Sequence, residues 1–358
     1  MTERLDFLKY YRYSLHKLSN SEKSKIKLYL IENGITVSQY SKDTIFGDVP
    51  LDKIPAQTFI EEAIKSSREA ILLLQKLELI NEHKYSIFLE SSQEIEYNEV
   101  IKNEEFYEND RIEFLNEENN EIRSASIYNQ NADYFIIKIN FKLEKFDDFT
   151  NSTVFTRAVF TIVYHKENNV FEIRYNSLQS PFKLNQEYYL NFIFKIRTFL
   201  ETKLKVKLDF LYLNHMFEKW NEIKEEYKMI NKSSAFEDNG SAEMSTNEEN
   251  QLPYIDEVRD IMLEFKNTFS EDPIKFPVFN EINMRIEELF TDKEAEARHN
   301  FITYTIKLRA EKFTFIHDRQ LCIIHHLSKR IKSTADEEKR GSLDELSREI
   351  IRIKNKFC

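Results

Sequence analysis

The spacing of apolar positions changes several times along the chain, and each change predicts a new element. Ile60, Ala63, Ile64, Ser67, Ile71 and Leu74 fall on one stripe of helical period, which predicts a helix from Thr58 to about Leu77. Thr58-Phe59-Ile60-Glu61 has capping-box spacing at its start. Ser19-Asn20-Ser21-Glu22 has the same spacing ahead of a lysine-rich run carrying Ile26 and Leu30. After Leu79 and Ile80 the period falls to two. Tyr85, Ile87 and Leu89 alternate with Lys84, Ser86 and Phe88, which predicts a strand, and Asn81-Glu82-His83-Lys84 supplies a turn before it.

From 93 to 130 the apolar residues are mostly isolated among acids, which reads as an acidic connector. From Tyr134 the chain becomes β-branched and aromatic. YFIIKINFKL, VFTRAVFTIVYH and NVFEIRYNSL predict three strands, with Lys166-Glu167-Asn168-Asn169 as the hairpin turn between the second and third. Asn185 is placed to cap a helix reaching about Thr202, with Tyr189, Phe192, Ile193, Ile196 and Leu200 on one side, and KVKLDFLYL returns as a strand. Phe217 to Ile230 predicts a trailing helix, and the polar, acidic segment 231–252 a disordered linker. Past Pro253 the pattern predicts helices at 254–269, 279–290, about 292–331 and 342–356. Thr291-x-x-Glu294 and Ser342-x-x-Glu345 again have capping-box spacing.

Within residues 20–92, a helix followed by Leu77-Glu78-Leu79-Ile80 and a short hairpin resembles the recognition helix and wing of a winged helix-turn-helix domain. The expected fold class is α+β and multidomain. It comprises an N-terminal winged-helix-like domain (1–92), the acidic connector (93–130), a small sheet-plus-helix middle domain (131–230), the acidic linker (231–252) and an all-helical C-terminal domain (253–358).

Composition narrows the chemistry. The chain has 358 residues and four glycines, Gly34, Gly47, Gly240 and Gly341, too far apart for either a dinucleotide fingerprint or a P-loop. Those loops need glycine so that backbone amides can approach a phosphate. Cys322 and Cys358 form neither a disulfide framework nor a zinc motif, which fits a reducing cytoplasm. No apolar run reaches membrane-spanning length, and the first residues lack an uninterrupted apolar segment of signal-peptide type, so a membrane role is not expected. The net charge of −11 is concentrated: residues 93–130 hold eleven acids against Lys102, Arg111 and Arg123. Any grip on nucleic acid must therefore be local.

Two stretches offer such a grip. KYYRYSLHK interleaves Lys9, Arg12 and Lys17 with Tyr10, Tyr11 and Tyr13, the mixture that stacks bases and neutralises phosphates; Lys65 and Arg68 lie on the expected recognition helix. Near the C-terminus Lys307, Arg309, Lys312, Lys329 and Arg330 make a basic stripe on the expected long helix, whose plainer reading is a solvated face. In the same stretch Arg319 precedes His325 and His326 with a spacing that resembles the R-x4–6-H motif of HEPN-type ribonucleases. That resemblance implies an all-helical bundle in which His activates a ribose hydroxyl and Arg steadies phosphorane charge, without metal. With seventeen arginines and eight histidines an accidental match of that spacing is common. Asp318, Cys322 and His325 share a helical face in this reading, and Glu172-Ile173-Arg174 has a faint nuclease-strand look, but each lacks the remaining ligands of a metal site.

The leading reading is a non-catalytic cytoplasmic regulator or adaptor that binds nucleic acid (DNA or RNA) or a partner protein, with no cofactor and no metal. The alternatives are a metal-independent endoribonuclease using Arg319 with His325 or His326, and a structural assembly subunit; under any of these readings the C-terminal helices offer a surface for homo-oligomers.

Overall fold

The computed structural model describes residues 2–37, 54–80, 83–108, 110–118, 121–129, 133–147, 151–178, 182, 186–211, 213, 227–236, 241–245, 275–290, 299–308, 311–318, 321–326, 346–348 and 350–352. The chain divides into two units, Met1–Phe210 with Ser328–Asn355, and Leu211–Leu327 with Lys356–Cys358.

In the first unit, the capping box expected at Ser19 joins α1 (Thr2–Lys17) to α2 (Asn20–Glu32). Ser19 Oγ accepts from the Glu22 N–H, and the Glu22 carboxylate accepts from the Ser19 N–H. The box expected at Thr58 is not used. α3 (Ala56–Ser66) starts ahead of Thr58, behind Pro55, and the backbone extends at Ser67 (φ −123°, ψ 126°). The single expected helix is therefore two. Ser67 Oγ accepts from the Ala70 N–H as α4 (Arg68–Ile80) begins. Phe7, Tyr11 and Leu15 of α1, Leu30 of α2, Phe59 and Ile64 of α3 and Leu74 of α4 close one core between these helices.

After β1 (Tyr85–Ser91) and the short α5 (Tyr97–Val100), the unit adds β2 (Phe106–Glu108), β3 (Leu115–Glu117), β4 (Ala125–Asn129), β5 (Tyr134–Asp147), β6 (Ser152–His165), β7 (Val170–Tyr175), α6 (Gln186–Leu204) and β8 (Leu208–Phe210). The strands run β2–β4–β5–β6–β7–β1, with β3 against the middle of β5, just past β4, and β8 against β1. The β2·β4 and β3·β5 pairs are parallel and the others antiparallel. This arrangement corrects the winged-helix-like expectation. β1 is not one arm of a local hairpin: it pairs with β7 and β8, far along the chain, as part of a large mixed sheet. The stretch 93–130 supplies β2, β3 and β4 to the same sheet. The turn expected at Lys166–Asn169 is present as a 3₁₀ turn, closed by Asn169 at φ 53°, a conformation asparagine tolerates well.

The register gives the sheet two dissimilar faces. Ile127, Ile137, Ile162, Ile173 and Ile87 sit side by side across five strands, all buried. One residue along, on the opposite face, the neighbours are Ser126, Lys138, Thr161, Arg174 and Ser86. α6 covers the isoleucine face: the Phe192 ring lies 4.6 Å from Phe141 and 5.4 Å from Phe160, and Tyr189 stacks on Tyr175. The helix expected after Asn185 has its apolar side there, with Tyr189, Phe192, Ile193, Ile196 and Leu200 buried. α1 and α4 cover the polar face, where Arg157 of β6 spreads over the Phe7 and Tyr11 rings at 4.6 and 5.2 Å. Helical residues 346–348 and 350–352 also belong to this unit, and Ser347 Oγ donates to Glu172 of β7 at 3.0 Å.

The second unit overturns the all-helical C-terminal domain. Its helix α7 (Lys275–Phe290) overlaps the helix expected at 279–290. Its strands β9 (Tyr227–Phe236), β10 (Ser241–Ser245), β11 (His299–Leu308), β12 (Glu311–Asp318) and β13 (Leu321–His326) make an antiparallel ladder in the order β10–β9–β11–β12–β13. Strands stand where a long helix was expected at 292–331 and a disordered linker at 231–252. The reason lies in residue type. Ile302, Thr303, Tyr304, Thr305 and Ile306, then Phe313, Thr314, Phe315 and Ile316, are β-branched or aromatic, and such side chains are restricted at χ1 in a helix and pack well on a pleat. The register pairs Leu308 with Glu311 and Asp318 with Leu321, the spacing of tight hairpins. The helix expected at 254–269 lies outside the described residues, as do residues 217–226 of the trailing helix.

Candidate functional site

Helix α1 sorts the KYYRYSLHK stretch by its own period. Phe7, Leu8, Tyr11 and Leu15 point inward and are buried, while Lys9, Arg12 and His16 share the outward side. Beside that outward side stand Lys65 on α3 and Thr153, Val154 and Phe155 at the start of β6. Together with Leu5, Leu8 and Tyr13 they line a cleft of about 480 Å³. Three permanent cations and a histidine thus converge on one opening, and no carboxylate is among its lining residues.

Carboxylates hold these cations from outside the cleft. Arg12 pairs with Glu61 at 3.0 Å, Lys65 with Glu62 at 2.6 Å and Lys9 with Glu144 at 3.9 Å. Their Arg and Lys side chains remain 39–47% exposed, so these are solvent-screened pairs rather than buried ones. The Lys9 ammonium also sits 3.8 Å over the Phe155 ring, and that of Lys17 5.3 Å over Tyr13. The His16 ring meets Gln57 Nε2.

Two of the expected stacking residues are not at this surface. Tyr10 is buried, donates to Glu144 at 2.5 Å and meets Phe155 edge-on; burial and that carboxylate push its pKa up. Tyr11 lies in the core beneath Arg157. The helical period of the surrounding apolar residues carries the signal that separates them from Lys9 and Arg12. Arg68, at the start of α4, donates to the Asp110 carbonyl at 2.8 Å and does not line the cleft. Sequence reasoning did not single out His16, Leu5 or Phe155, since only the packing of α1 against β6 brings them together.

A larger opening of about 620 Å³ lies beside α2 and the start of α3, but Glu61 and Glu62 line it. Its one lysine, Lys23, donates to the His16 carbonyl at 3.3 Å. It is a poorer place for an anion.

Under α1 and α4 the polar face of the sheet carries a buried charge network. Glu113 accepts from Tyr128 OH (2.5 Å), Asn140 Nδ2 (2.6 Å), Ser126 Oγ (3.0 Å) and Lys138 Nζ (3.1 Å). Lys138 also reaches Glu78 at 2.7 Å and the Gln75 carbonyl at 3.1 Å, and Arg157 closes the network on Glu78. Burial alone would raise the pKa of Glu78, but the charges of Arg157 and Lys138 outweigh it and the pKa is lowered. Beside it Glu172 accepts from Arg174 at 2.7 Å and Ser347 at 3.0 Å, and contacts His165 at 3.3 Å. Burial opposes its ionisation, yet Arg174 and His165 bring its pKa down to about 2. These groups hold the layer that presents α1.

Among the described residues, the C-terminal candidates lie on strands. His325 and His326 are consecutive on β13 and so point to opposite faces; His326 is buried and stacked 4.5 Å from Phe313. Cys322 on the same strand is buried, which pushes its thiol pKa up. Lys307 and Lys312 are register partners across β11 and β12. Arg309, Arg319, Lys329 and Arg330 lie outside the described residues. Among the described residues no cluster of His, Cys, Asp and Glu is arranged to hold a metal ion, and no helix is long and apolar enough to cross a membrane.

Comparison with protein-family models finds no match to the chain, and comparison with curated proteins finds none either.

Proposed function

We propose that the protein binds nucleic acid without cleaving it, through the cleft between α1, α3 and the start of β6, and so serves as a regulator or adaptor. One observation carries the reading: Lys9, Arg12, His16 and Lys65 converge on a single opening whose lining includes no carboxylate, in a chain whose net charge is −11. A polyanion meets cations there that are held only by exposed, solvent-screened pairs.

Salt-dependent binding tests it. Fluorescence anisotropy of labelled oligonucleotides is expected to show affinity that falls with salt, and Lys9→Ala/Arg12→Ala/Lys65→Ala is expected to flatten the log–log slope by about 2 for a single strand. An unchanged slope in that variant would remove the cleft from the account. Retention of a protein but no oligonucleotide would replace nucleic acid with a protein partner.

A further inference from the structure

We infer that the cleft takes a single strand rather than a duplex, with phosphates on Arg12 and Lys65 and a base against the ring of Phe155; this rests on the nucleic-acid reading above. Half of the lining is apolar: Leu5, Leu8, Tyr13, Val154 and Phe155 stand among the cations. A duplex keeps its bases stacked inside and offers such a wall only phosphates, sugars and groove edges, so an apolar lining has no partner in it. An unstacked base has a face for each ring. The volume, about 480 Å³, falls in the range of pockets that enclose small molecules and suits a nucleotide-sized group.

The helix that would read a groove is committed elsewhere. α4 buries Ala70, Ile71, Leu74 and Leu77, and its Glu78 carboxylate goes to Lys138 and Arg157. The outward side of α1, set against β6, is by contrast the wall of an opening. Lys9 supplies the means of entry. Its ammonium covers Phe155 at 3.8 Å, lies 5.2 Å from the Tyr10 ring and has a long 3.9 Å pair with Glu144, so an arriving phosphate can draw it off the Phe155 ring. Base–aromatic stacking outweighs an exposed cation–π contact, so a base takes the vacated face.

The test compares oligo(U), oligo(dT) and a blunt hairpin of equal phosphate number by anisotropy, with inorganic polyphosphate as unlabelled competitor. The single strands are expected to bind at least about tenfold tighter than the hairpin, the two sugars showing which strand is preferred. Phe155→Leu, which keeps an apolar side chain in place, is expected to weaken single-strand binding about fivefold or more and to leave polyphosphate binding unchanged. Phe155→Ala is expected to do the same more strongly, and circular dichroism of both variants checks that they are folded. Hairpin binding equal to single-strand binding, or a folded Phe155→Leu protein with unchanged single-strand affinity, would overturn the inference and leave a plain anion cleft. Failure of wild type to bind any oligonucleotide would overturn the nucleic-acid reading with it.

Discussion

Arg12 is held by Glu61 at 3.0 Å while about half of its side chain stays in solvent, and an ion pair in that setting contributes about 0–1 kcal/mol. A phosphate therefore competes for Arg12 on favourable terms. Glu61→Gln is expected to tighten oligonucleotide binding by about two- to fivefold with little change in urea midpoint; weaker binding in a folded variant would show that Glu61 orients the guanidinium rather than competing for it. The buried pairs behave in the opposite way. Glu113 gathers four donors with no solvent to replace it, so Glu113→Ala is expected to cost about 3–5 kcal/mol in chemical denaturation. Lys142→Ala, which breaks an exposed pair with Glu117, should cost under about 1 kcal/mol. At this scale the sequence was partly legible. It marked Lys9, Arg12, Tyr13 and Lys65, which do share the cleft, but it grouped Tyr10 and Tyr11 with them although α1 turns both inward. Nothing in a linear pattern says that Lys138 and Glu113 meet in the interior, since a lone lysine between isoleucines reads equally as a solvent-facing position.

At the scale of elements, local chemistry decided some boundaries and tertiary packing the rest. The Ser19–Glu22 box formed because the two side chains satisfy each other's backbone groups without outside help. The similar spacing at Thr58 is not used because α3 already begins at Ala56 behind Pro55, which puts Thr58 inside the helix, while Ser67 ends that helix and caps α4. Ser67→Ala is expected to lower stability by about 1 kcal/mol through loss of that cap, read from the urea midpoint. At the C-terminal strands the apolar residues of the sequence can be tiled by either period, so spacing alone does not separate helix from strand there. β-branched content was the better guide there.

For the whole molecule, acid is the revealing perturbation. His83 is buried, and burial is the main reason its pKa falls to about 3; Arg174 and Lys138 push the same way and Glu172 opposes them. The unfolded chain takes up this proton near the ordinary value of 6.5 and the folded chain does not. Stability is therefore full above about pH 6.5 and declines as pH falls toward 3, by at most about 1.4 kcal/mol per unit. Glu172 and Glu78, with lowered pKa values, favour the folded state above the ordinary carboxylate range and lose that contribution as pH falls below it, Glu172 down to about 2. Thermal midpoints by circular dichroism should fall gradually below pH 6.5 and steeply below about 4.5. His83→Asn should flatten the first part of that fall, and an unchanged profile in that variant would assign the decline to the carboxylates alone. The two-faced sheet has a consequence for the gene as much as for the protein. The isoleucine row and the Ser126–Lys138–Thr161–Arg174–Ser86 row are one residue out of step, so slipping β5, β6 or β7 by one position would drive Lys138, Arg157 or Arg174, respectively, into the aromatic layer under α6. Codon-length insertions or deletions within β5, β6 and β7 should thus be among the least tolerated changes in the chain, and the lengths of those strands the slowest feature to drift.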